Sequence, residues 1–62
     1  MEELMFIALI DGLAWALDTE SLSLWYAEPG AKFQCAGDRD VGIFADAPGI
    51  VKDFFWNYRR IV

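Results

Sequence analysis

The stretch LMFIALIDGLAWAL, residues 4–17, decides the fold, because it can be read as one helix or as two strands turning at Asp11-Gly12. Asp-Gly between apolar flanks is a strong hairpin signal, since both residues tolerate the positive φ of a type I′ turn. The helix reading rests on composition and spacing. Ala, Leu, Met and Glu are good helix formers, and Glu3, Ile7, Asp11, Ala14 and Asp18 recur every three or four residues along one side. The sequence therefore predicts a helix over residues 2–17, with the hairpin as the competing reading. The apolar run has 14 residues and is interrupted by Asp11 and Gly12, short of the roughly 20 a membrane helix needs. Glu2 and Glu3 precede it and no lysine or arginine appears before Lys32, which is unlike a secretory signal. With Cys35 as the single cysteine no intramolecular disulfide can form, and a reducing, cytoplasmic setting without membrane association is expected.

From Ser21 onward the pattern alternates, with Leu22, Leu24 and Tyr26 on one side and Ser21, Ser23 and Trp25 on the other, which predicts a strand. Glu28-Pro29-Gly30-Ala31 is turn chemistry, and a second strand is expected over residues 31–36. A two-residue loop at Pro29-Gly30 would set Tyr26 opposite Phe33 and Leu24 opposite Cys35, collecting the apolar residues on one face. A third strand over residues 41–45 keeps Val41 and Ile43 on that face, opposite Cys35 and Phe33, if its loop has an odd number of residues. Asp46 is expected to cap a helix that includes Pro48 in its first turn and runs to about Arg60. Its apolar stripe would be Ile50, Phe54, Tyr58 and Ile61, supported by Val51, Phe55 and Val62, with Trp56 on the polar side. The expected architecture is α+β in one domain, residues 1–62: an N-terminal helix, a three-stranded antiparallel meander and a C-terminal helix, the helices packed on one sheet face. The other face would carry Ser23, Trp25, Lys32 and Gln34.

A 62-residue domain buries only about 60% of the surface its unfolded chain exposes, yet 56% of these residues are hydrophobic and 16% aromatic. So apolar a chain is expected to use some of that surface on a partner or in a homodimer. Its net charge of -5 is uneven: residues 1–50 hold nine acids against Lys32 and Arg39, whereas residues 51–62 are net basic. An acidic body disfavours direct nucleic-acid binding and favours basic protein surfaces.

Catalytic chemistry is not signalled. The chain has no histidine, Cys35 reads as a small core residue, and neither a GxGxxG nor a P-loop pattern is present. GDRDVG, residues 37–42, imitates the start of a calcium loop, but the positions that need glycine and glutamate hold Ile43 and Gly49. No enzyme activity, metal or cofactor is expected. In a meander the loop after the second strand lies at the same end as the entry to the first, so Asp38 and Asp40 would approach Asp18 and Glu20. These four, with Glu28 and Asp46, are the candidate partner-binding carboxylates. Trp25 and Trp56 are candidate contact aromatics, since tryptophan is enriched at interface hot spots.

A short acidic chain, rich in aromatics, with a helix and an antiparallel meander and no catalytic motif resembles the small phage-encoded anti-CRISPR proteins, and among them the inhibitors of type I-C surveillance complexes. The resemblance implies a non-enzymatic inhibitor that sits on the basic DNA-binding surface of such a complex and blocks target recognition, its carboxylates standing where phosphates would. The alternative function is a small structural or adaptor subunit whose apolar sheet face, around Trp25, makes the contact.

Overall fold

The structure is a computed structural model that describes residues 4–61. Among these residues five strands, β1 (Leu4–Ile10), β2 (Leu13–Asp18), β3 (Ser23–Ala27), β4 (Gln34–Asp38) and β5 (Gly42–Ile43), precede one helix, α1 (Gly49–Ile61). The strands form one antiparallel sheet in sequence order, each neighbour joined by a hairpin.

The N-terminal helix expected over residues 2–17 is not formed; residues 4–18 make the β1–β2 hairpin, and residues 2 and 3 lie outside the described residues. Asp11 and Gly12 both have positive φ, 52° and 81°, as a type I′ turn requires, and its twist matches that of the strands. The helical spacing discriminated poorly because nearly every position in this stretch is apolar. As strands, Trp15 and Leu17 bury against the helix, while Ala14 and Ala16 lie on the opposite face. The sheet therefore has five strands instead of three, and one helix covers one of its faces.

The core beneath α1 is Trp15, Leu17, Leu24, Ala36, Ala47, Val51 and Phe55, with Met5, Ile7, Ile10, Leu13, Tyr26 and Ile43 packed around it. Val51 and Phe55, expected only as supporting residues, are the buried residues of the helix, and Tyr58 packs against the core as expected, whereas Ile50 and Phe54 stay exposed, so the centre of the stripe is rotated by one position. Ile50 and Ile61 are left exposed. Either apolar stripe satisfies a helical period, and only contact with the sheet selects between them. Pro48, not Asp46, stands immediately before the helix, and its carbonyl accepts from the Val51 and Lys52 amides at 3.0 Å.

The β3–β4 register differs from expectation by one residue, with Tyr26 opposite Gln34 and Trp25 opposite Cys35. The Glu28–Ala31 turn does form, the Ala31 amide donating to the Glu28 carbonyl at 3.0 Å with Gly30 at φ 77°. Proline followed by a positive-φ glycine makes a type II turn, whose twist opposes that of a tight hairpin, so the loop lengthens through Phe33. A one-residue shift exchanges faces. Cys35 is consequently exposed and not in the core, Gln34 joins Tyr26 on the helix face, and Lys32 lies in the loop. β5 pairs Ile43 with Gly37, where the sequence suggested Phe33; its connecting loop, residues 39–41, has the expected odd length.

Candidate interaction surfaces

Two turns at one end of the sheet are built alike. At the β2–β3 turn the Asp18 Oδ1 accepts from the Glu20 and Ser21 amides, at 3.0 and 3.3 Å. At the β4–β5 turn the Asp38 Oδ1 accepts from the Asp40 and Val41 amides, at 2.9 and 2.7 Å. Each turn places its fifth residue in the left-handed region, Leu22 at φ 57° and Gly42 at φ 92°. Aspartate at the first position offers the turning backbone an acceptor, which is the usual side-chain closure of such loops.

This geometry separates the six candidate carboxylates. Asp18 is 3% exposed and occupied by its turn, so it presents little charge outward. Asp38 is half-buried and also occupied, whereas Glu20 and Asp40 are exposed. All four belong to turns at the same end, as the topology predicts. Glu28 lies in the β3–β4 loop, at the opposite end, and Asp46 lies in the segment between β5 and α1. Arg39 shares the acidic end, and a Cβ built at Gly42 would stand 3.4 Å from the Trp56 ring, over which Arg59 stacks at 4.7 Å. The acids there are thus accompanied by base. Among the described residues no group of three or more ligating side chains is gathered for a metal ion.

The face away from α1 is a second surface. Strand pairing lays two cross-strand rows on it, Phe6–Ala16–Trp25–Cys35 and Leu9–Ala14–Ala27. Phe6 is 63% and Leu9 65% exposed, while the alanines are small enough to leave a shallow apolar groove of about 380 Å³ between Leu9 and Phe33. Trp25 is half-buried and held in place, its Nε1 donating to the Ser23 Oγ at 2.8 Å, which in turn lies 2.6 Å from the Ser21 Oγ. Of the candidate aromatics Trp25 is therefore a fixed part of this face, and Trp56 lies on the exposed side of α1. Sequence reasoning missed Phe6, Leu9 and Phe33, whose roles depend on the hairpin and on the longer loop; the Asp11-Gly12 turn signal could have revealed the first two.

No family model, curated protein or solved structure matches this chain.

Proposed function

We propose that the protein is a non-enzymatic binding module that acts by protein–protein contact, using the apolar sheet face of Phe6, Leu9 and Trp25. The observation that carries this reading is that one helix covers one face of a five-stranded sheet, leaving Phe6 and Leu9 in water on the other. Side chains of that size each forgo about 2 kcal/mol of burial when exposed, an expense that a partner removes. A pre-positioned indole beside them suits a contact anchor.

A second reading follows from the twin turns. Glu20 and Asp40, brought to one end by topology and not tied by turn bonds, would dock on a basic, nucleic-acid-binding surface such as that of a CRISPR surveillance complex, as the anti-CRISPR resemblance implies. Arg39 and Arg59 near that end favour the apolar reading.

Affinity capture at low and high salt, with the retained protein identified by mass spectrometry and retested in purified form, separates the two. Contact through the sheet face predicts salt-resistant binding that Trp25→Ala and Leu9→Ala weaken. Salt-labile binding abolished by Glu20→Lys with Asp40→Lys, and untouched by Trp25→Ala, would establish the carboxylate reading instead.

A further inference from the structure

Resting on the protein-contact reading, we propose that the β1 edge binds a second copy of this chain, the two β1 strands pairing antiparallel about a two-fold axis to join the two sheets into one. β1 is an edge strand, so one side of its backbone ladder has no partner among the described residues. Edge strands are commonly blunted by charge, proline or shortness. β5, at the other edge, is two residues long, but β1 runs for seven residues, LMFIALI, without charge or proline. No residue of β1 is buried, whereas residues 15–18 of β2 all are. Copies of a chain with net charge -5 repel one another, and this uncharged strand is where their backbones can approach with no carboxylate within residues 5–10.

The bulge in β1 selects the register. Between Phe6 and Ala8 the pairing with β2 shifts, leaving Phe6 and Leu9 on the outer face and Met5, Ala8 and Ile10 on the helix side, where Ile7 also packs. Setting Met5 against Ile10, Phe6 against Leu9 and Ile7 against Ala8 of the second copy matches faces at every pair. An axis through Ile7 would set Met5 against Leu9, on opposite faces, and the whole pattern would conflict. In the matched register the two most exposed side chains of the strand meet each other twice, as a two-fold contact requires. Each Phe6 then stands at the end of the partner's Leu9–Ala14–Ala27 row, whose alanines floor the apolar groove. A single pair of strands falls below the roughly 800 Å² per partner of a standard interface, so the association is weak and depends on concentration.

Sedimentation velocity on the full chain over a wide concentration range tests this, with Phe6→Lys combined either with Leu9→Lys or with Leu9→Glu. The wild type is expected to dimerise reversibly. The double-lysine variant opposes like charges at both contacts and should raise the dissociation constant at least about tenfold. The lysine–glutamate variant opposes unlike charges and should dimerise, less so at high salt; as it alters the same two positions, it also controls for misfolding. A wild type that stays monomeric to about 1 mM, far above the concentrations at which protein interfaces act, overturns the self-pairing, and salt-resistant capture through Trp25 would show the binding reading surviving it. A dimer indifferent to both variants, or lost equally in both, also overturns it.

Discussion

At the scale of single residues, aspartates that look alike in sequence differ in what their carboxylates do. Asp18 and Asp38 each close a turn by accepting two amide protons, but only Asp18 is buried. Asp18→Ala removes a buried acceptor from the Glu20 and Ser21 amides and should cost about 1–3 kcal/mol, and Asp38→Ala less because its carboxylate is more open to water, which can replace it. Asn at either position keeps the oxygen and should recover much of the loss, measured by urea denaturation. Gly42 at φ 92° should tolerate alanine poorly, at about 1 kcal/mol, mostly from backbone strain, because the new Cβ would reach no nearer than 3.4 Å from the Trp56 ring. Leu22 takes a similar conformation without glycine's freedom, and its complete burial offsets the strain. Trp15 is also buried and stacks on Tyr26 at 5.3 Å, but its Nε1 has no hydrogen-bond partner among the described residues. Trp15→Phe removes that unpaired donor along with some volume, so its cost should stay well below the roughly 3–5 kcal/mol expected for Trp15→Ala, in the same denaturation experiment.

At the scale of elements, α1 and the β1–β2 hairpin make opposite points about reading a period. In α1 the sequence identified a helix and placed Arg59 and Arg60 in its last turn, where they suit the negative end of the dipole. It could not choose between stripes one position apart. Phe55→Ala should therefore cost about 3–5 kcal/mol, enough to unfold much of so small a domain, while Ile50→Ala, at 65% exposed, should shift stability by under about 0.5 kcal/mol. Thermal melts of the two variants would reverse if the expected stripe were the buried one. In residues 4–17 a helical period was present but uninformative, since apolar residues fill almost every phase, and the turn dipeptide was the better signal. Gly12→Ala should cost about 1 kcal/mol through φ alone, because none of the described residues lies within 4 Å of the added methyl.

At the scale of the whole molecule, a sheet covered on one side only is half of a sandwich. The core under α1 unites all the strands with the helix, and on the opposite face Phe6, Leu9 and Cys35 stay exposed at the ends of the two apolar rows, with Trp25 half-buried between them. Any partner that covers those rows should raise the melting temperature with its own concentration, by linkage to the folded state. In differential scanning fluorimetry of the protein alone, self-pairing through β1 predicts a melting temperature that rises with protein concentration. That dependence should be absent in the double-lysine variant.

The α+β class, the strand before the Glu28 turn, the C-terminal helix and the placing of the two aspartate turns at one end of the sheet were legible in the sequence, because each rests on local signals: alternation, turn residues, helical period, and the geometry of antiparallel connection. The number of strands, the exposure of Cys35, the buried stripe of α1 and the choice of hairpin over helix in residues 4–17 were decided by the tertiary structure. In each of these, the local pattern admits a neighbouring alternative. Only packing against the rest of the sheet makes one of them lower in free energy.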